Sequence, residues 1–233
     1  MNYIDIRFQR ERFDKAARFY KQKGIIPQRA IIRVVVPFVA STGSYVFNLK
    51  KDPSLAHVTE NLLKRTDLLV STRIGLALMV ELDAAKGTAP IYSYPVITGT
   101  SNPTGLRGLV NTNGYAMYNG SLTMKTGQVV NISKLPTSLF LAVPRGQPAL
   151  PFTGAVATVH PAFDLDNIMY PLAEEIIFAG TKEQPIQLDF PACTIAAEAS
   201  CTAYAVLLIE GWLLENGTTE DSHSPENPYN GAF

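Results

Sequence analysis

The densest group of side chains able to hold a metal ion or move a proton is His160-Pro-Ala-Phe-Asp164-Leu-Asp166, one imidazole and two carboxylates on a short stretch. On a loop these three can approach one cation, and with Glu174 they are the residues a hydrolase on a β-scaffold would use. A tetrahedral or oxygen-rich metal site needs further ligands at a recognisable spacing, and none follows. The stretch therefore reads as a loop of solvated carboxylates and turn-forming aspartates. His57 falls in a short helix expected from Ser54 to Lys64, and His223 in the C-terminal stretch; for neither does the sequence offer a nucleophile or carboxylate partner. Glu174 and Glu175 are adjacent, so in a strand they point to opposite faces and cannot act as a pair. The chain contains no Gly-x-Ser-x-Gly elbow, no Gly-x-x-x-x-Gly-Lys phosphate loop and no His-Glu-x-x-His, and the Gly99 to Gly105 loop has no lysine after its second glycine. Tyr92, Tyr94, Tyr115, Tyr118 and Trp212 are the residues a sugar-stacking platform would need, although packing in a core or an interface is the favoured use of such aromatics. These residues read as a protein that is not an enzyme and needs no cofactor, metal or small-molecule substrate.

The elements that would position any site are strands. In Leu68 to Asp83 the even positions Val70, Thr72, Ile74, Leu76, Leu78, Val80 and Leu82 are almost all apolar, while Ser71, Arg73, Gly75, Ala77, Met79, Glu81 and Asp83 occupy the odd ones. Strand side chains alternate faces with period two, so the pattern predicts one long strand, apolar beneath and mostly polar above, as in a sandwich or barrel. Further strands are expected at Ile31 to Val39 (with Pro37 marking an edge or a bulge), Tyr45 to Leu49, Ile91 to Ile97, Gly114 to Lys125 and Val129 to Ser133. The series continues with Ser138 to Val143, Ala155 to His160, Pro185 to Phe190 and Thr194 to Glu198. Thr126-Gly127 supplies a hairpin turn, and these spacings match the rhythm of antiparallel sandwiches. Thr202 to Leu214 is apolar on both faces at its middle, which predicts a central strand covered on both sides. Asp164 to Gly180 fits helix or strand and is split by Pro171. No repeat points to a solenoid or propeller.

The chain has 233 residues, enough for one large all-β domain or two small ones, and its Lys+Arg and Asp+Glu totals cancel. A zero net charge argues against a surface adapted throughout to nucleic acid or anionic lipid. Charged residues make up 17%, well below the roughly 25% of an ordinary domain. Surplus apolar surface of this kind is commonly buried between subunits. The N-terminus lacks the order of a secretory signal, and no apolar run reaches the length of a membrane helix. Asn119-Gly-Ser, Asn131-Ile-Ser and Asn216-Gly-Thr then count as chance matches to the glycosylation sequon, and Cys193 and Cys201 as buried free thiols rather than a hairpin disulfide.

Two ends of opposite charge flank this body. Residues 1–29 carry Arg7, Arg10, Arg12, Lys15, Arg18, Lys21, Lys23 and Arg29 against Asp5, Glu11 and Asp14, with Ile6, Phe13 and Tyr20 at heptad spacing before Gly24 and Pro27. They read as a basic amphipathic helical arm, packed on its own body or reaching a neighbouring subunit, nucleic acid or lipid. Residues 215–233 hold Glu215, Glu220, Asp221 and Glu226, no basic residue, and many Asn, Gly, Thr, Ser and Pro, the composition of a tail that does not fold by itself; it is expected to order by docking on a neighbouring copy, with folding back on its own domain as the alternative. The expected domains are thus a basic arm 1–29, a sandwich 30–214 and an acidic tail 215–233.

This layout resembles the jelly-roll capsid proteins of tailless, often lipid-containing bacteriophages, most of all over Leu106 to Pro144, where Tyr118-Asn-Gly-Ser-Leu-Thr-Met124 and Leu139-Phe-Leu-Ala-Val-Pro144 read as successive sandwich strands. The resemblance implies an all-β antiparallel sandwich of jelly-roll type and a structural virion protein, made in the host cytoplasm, that self-assembles into a shell. Its partners would be copies of itself and other virion proteins, with an internal membrane or the genome within reach of the basic arm. The subunit-interface or lumen-facing residues would be Arg7, Arg10, Arg12, Lys15, Arg18, Lys21 and Lys23 of the arm and Glu220, Asp221 and Glu226 of the tail. Two rival classes remain: a carbohydrate-binding or adhesin-like sandwich, and a jelly-roll hydrolase using His160 and Asp164.

Overall fold

The computed structural model describes residues 25–49, 56–97, 107–126, 129–142, 168–182 and 184–217, together with Glu11 and Asp14. Among them, two antiparallel sheets close on a shared core. The first is built on β3 (Leu68–Leu82), flanked on one side by β9 (Cys201–Leu214), which in turn pairs with β1 (Gln28–Pro37). On its other side β3 pairs with β7 (Tyr170–Ala179) along its first half and with β4 (Ile91–Tyr92) further on. The second sheet runs β2 (Thr42–Phe47), β8 (Ile186–Cys193), β5 (Ser121–Thr126), β6 (Val129–Pro136).

The pairings β1·β9, β2·β8, β3·β7 and β5·β6 are nested, each strand meeting its mirror counterpart across the chain. The described strands follow one long hairpin that doubles back between β5 and β6, with successive strand pairs falling in alternate sheets. The inward face of the first sheet (Ile32, Val34, Ile74, Leu76, Leu78, Leu207, Ile209) packs on that of the second (Phe47, Leu122, Met124, Ile186, Leu188).

The two sheets differ in their outer faces. That of the second is wet, with Ser44 donating to Asp189 at 2.6 Å and Gln187 donating to Asp189 at 2.9 Å. That of the first is covered. Val35, Ala77, Met79, Tyr204, Val206 and Leu208 form a separate core there with Ile168 and Met169, and β3 is buried along nearly its whole length. As its doubly apolar sequence predicts, β9 is central and covered on both sides.

The polar upper face expected for β3 is therefore a buried face, and its period breaks. Opposite β9 the register runs Ser71↔Gly211 and then Arg73↔Glu210, leaving Thr72 as the extra residue of a β-bulge. Val70 accordingly lies with Leu68 on the outer face, whereas Ile74, Leu76, Leu78 and Val80 point inward.

Tertiary packing also overrides several local expectations. Residues 56–64 form turns and one bridge rather than a helix, and Gly114–Tyr118 is a short helix (α1) preceding β5 rather than the start of a strand. Thr137–Phe140 is a 3-10 turn, so the strand expected from Ser138 to Val143 is not formed over its described part. Ile91 to Ile97 shortens to β4 and a bridge at Ile97, and Thr194 to Glu198 keeps a single bridge at Ala197. The ambiguous stretch after Asp164 resolves as strand from Tyr170, with Pro171 second in β7. Pro37 ends β1, an edge strand, as expected. The strand expected at Ala155 to His160 lies outside the described residues.

Candidate functional site

Of the residues singled out in the sequence, Arg7, Arg10, Arg12, Lys15, Arg18, Lys21, Lys23, Glu220, Asp221, Glu226, His160, Asp164, Asp166 and His223 lie outside the described residues. Glu174 falls in β7. The aromatic set is not a surface platform: Tyr92, Tyr94 and Tyr118 are buried, Trp212 is half-buried on a side cluster, and only Tyr115 is exposed. Burial pushes the Tyr92 hydroxyl up to about 12 and raises that of Tyr118 as well. Cys193 and Cys201 are free and half-buried.

What the fold does assemble is an ionic layer on the covered outer face of the first sheet. After the bulge, Arg73 and Glu81 of β3 point outward, as do Arg29 and Arg33 of β1 and Glu210 of β9. Arg73 and Glu210 stand directly opposite in register, both nearly inaccessible, with Nη1 to Oε2 at 3.5 Å. Arg29, diagonal to Glu210 across the β1·β9 pair, donates its Nε–H to Oε1 at 2.6 Å. One buried carboxylate thus holds two guanidiniums, one of which belongs to the segment where the basic arm joins the sheet.

Both chain ends leave from this region. Ile25 packs with Trp212 on the cluster of Leu68, Val70, Ile177, Ala179 and Leu214. The Asn216 N–H donates to Asp67 Oδ1 at 3.1 Å, and Gly217 sits against Leu214 and Leu68. The last described residues before the tail and the first after the arm therefore share one corner of the sandwich.

Towards the other end of β3, Glu81 is fully buried and accepts from His57, Nε2 to Oε2 at 2.6 Å, and from the Gly87 N–H. The Thr59 N–H points at His57 Nδ1 from 3.3 Å and the Thr59 hydroxyl lies 2.9 Å from the same nitrogen, so Nδ1 is the acceptor and Nε2–H the donor to Glu81. The His57 ring also meets Tyr204 edge-on at 5.2 Å. Contrary to the sequence reading, His57 has a carboxylate partner; a separation of 24 residues hid it. With both ring nitrogens engaged inside the fold, the pair acts as a fastener. It fixes the segment whose Glu60 accepts from the Val35 N–H at 2.7 Å and whose Asn61 exchanges backbone hydrogen bonds with Arg33, closing the open edge of β1.

His57→Ala leaves the Glu81 charge buried with a single donor among the contacts described, and is expected to cost about 2–3 kcal/mol. Hydrogen exchange would then show the Arg33 and Val35 amides losing protection before the β9 amides do. Equal protection in variant and wild type would contradict the fastening role.

The layer thus ties the start of β1 and the segment 57–61 to the sheet. Among the described residues no group of three or more His, Cys, Asp or Glu is placed to hold a metal ion, and no described helix is long and apolar enough to cross a membrane. No protein-family model, curated protein or solved structure matches this chain.

Proposed function

We propose that this protein is a structural shell subunit of jelly-roll type that assembles with copies of itself into a virion capsid. The observation that carries the reading is the strand order. The sets β1-β9-β3-β7 and β2-β8-β5-β6, generated by nested pairing about the β5–β6 pair, support a jelly roll of two interlocked Greek keys with β4 as an added strand. Jelly rolls serve as capsid domains, lectins and cupins, so strand order alone does not select among them. Of the aromatics that a sugar-binding sandwich would present, Tyr92, Tyr94 and Tyr118 are buried. The low charged fraction, the zero net charge and the opposite charge of the two ends favour self-assembly.

Because both extensions depart from one corner, the basic arm of one copy and the acidic tail of the next can clamp adjacent subunits. Salt shortens the range of such attraction from about 10 Å at 0.1 M to about 3 Å at 1 M. Light scattering and negative-stain microscopy of the purified chain are expected to show large closed particles or ring-shaped capsomers at low salt and smaller species at high salt. A monomer of 25.4 kDa at high concentration and low salt would sink the proposal.

A further inference from the structure

Among the described strands, β1, β4, β7, β2 and β6 each pair on one side only. Four of these are poor templates for a further strand. β4 has two residues, β2 and β7 slip register against their partners, and β6 slips twice against β5 and carries Lys134 in the left-handed region at φ 53°. β1 is different, because its ten residues run in unbroken register against β9. A long, regular edge of this kind is what a strand from another molecule adds to.

Segment 57–61 occupies that edge without being a strand. The Arg33 N–H donates to Asn61 O at 3.2 Å, the Asn61 N–H donates to Arg33 O at 3.1 Å, and Asn61 Nδ2 donates to Ile31 O at 3.1 Å. Glu60 covers the next position, its Oε1 accepting the Val35 N–H at 2.7 Å and its Oε2 the His57 N–H at 2.7 Å. His57 in turn is tied to the buried Glu81. Two of the four edge contacts come from side chains, which lets so short a strap cover β1 from Ile31 to Val35.

We infer that this strap is an intramolecular competitor for the β1 edge, and that the partner it keeps off is the β1 edge of a second copy. The groups it satisfies, Ile31 O, Arg33 N–H, Arg33 O and Val35 N–H, complement themselves about Arg33. Facing residues of an antiparallel pair exchange N–H···O bonds at every second position. With Arg33 opposite its own equivalent, the Val35 N–H of either copy falls on Ile31 O of the other, so all four groups are met about a two-fold axis. The charge on Arg33 reinforces the strap, since such a pair sets one guanidinium against its like. In the single chain Arg33 instead lies in the field of Glu81 and Glu60 and donates its Nη2–H to Met79 Sδ at 3.1 Å. The inference goes beyond the shell reading and does not depend on it.

The test is hydrogen exchange of the Arg33 and Val35 amides in the full-length chain over a concentration series at high salt, with sedimentation alongside. Glu60→Ala/Asn61→Pro removes three of the four edge contacts. In the dilute variant both amides are expected to exchange at least about tenfold faster than in the wild type, and to regain protection as concentration rises and a dimer forms. Wild-type protection should not change with concentration. His57→Ala loosens the strap and leaves every edge contact residue in place; it should show the same concentration dependence at smaller size, and covers the case in which the double variant does not fold. Adding Val35→Pro to the double variant deletes one edge donor and should abolish the dimer. Amides that stay protected in the dilute variant would show that the strap is not what covers the edge. Amides that stay exposed at every concentration would show that no second copy takes it. Either result overturns the inference and leaves shell assembly, read by light scattering, as it stood.

Discussion

Replacing Glu210 by alanine is expected to lower stability by about 3–5 kcal/mol, because it strands a buried charge. Arg73 is about as inaccessible as its partner, and its Nε is buried with no hydrogen-bond partner among the described residues, so Glu210 is its compensating charge. For a domain of this size the loss corresponds to a fall in melting temperature of about 6–20 °C. The companion variant Arg73→Met/Glu210→Leu removes both charges together and should recover most of the loss, since apolar replacement of a whole buried pair is close to neutral. The same substitution frees Arg29, which this carboxylate ties to the sheet. Proteolysis near residues 25–29 should therefore quicken in Glu210→Ala more than the stability change alone predicts. A loss below about 1 kcal/mol, the size of an exposed pair, would show that water reaches the cluster and that Glu210 is not its anchor.

The neighbouring position gives the second large effect. Glycine in a strand ordinarily weakens it, and Gly→Ala is ordinarily favourable by about 0.5–1 kcal/mol. At Gly211 the sign reverses. A Cβ there would lie 2.2 Å from the Val70 carbonyl oxygen and 2.8 Å from Ser71 Cα, backbone atoms that no side-chain rotation can move aside. Gly211 faces Ser71 immediately before the bulge at Thr72. Gly211→Ala is expected to cost about 2–3 kcal/mol, the range of an overpacked core, and Gly211→Val at least as much. Chemical denaturation would measure it. An unchanged midpoint for Gly211→Ala would mean that the bulge absorbs the added methyl and does not fix the strands' approach.

These two residues divide what could be foreseen from what could not. The alternation in Ile74 to Leu82 and the doubly apolar middle of Cys201–Leu214 are local periodicities, so the long strand, the central strand and the all-β antiparallel character were legible in the chain itself. So were the pairing of β5 with β6 and the edge position marked by Pro37. Each depends only on neighbours a few residues apart. The bulge was not legible, because an extra residue is defined only against a partner strand; Val70 and Thr72 fit the apolar register as well as Ile74 does. The stretches Gly114 to Tyr118 and Thr137 to Phe140 are apolar enough for strands, and packing against the end of the sandwich turned them into helical turns.

The ionic layer was hidden for the same reason on a larger scale. Arg29 and Glu210 are 181 residues apart, and His57 and Glu81 belong to segments with no local signal of pairing. Composition determined that the two ends carry opposite charge and that the body is poor in it. Only the nested closure of the chain, bringing Gln28 opposite Leu213, decided that those ends leave from one corner, and only the fold brought three distant loops together on Thr194. Period and charge are properties of neighbouring residues, whereas register, burial of both faces and the meeting of loops arise when strands far apart in sequence exclude water together.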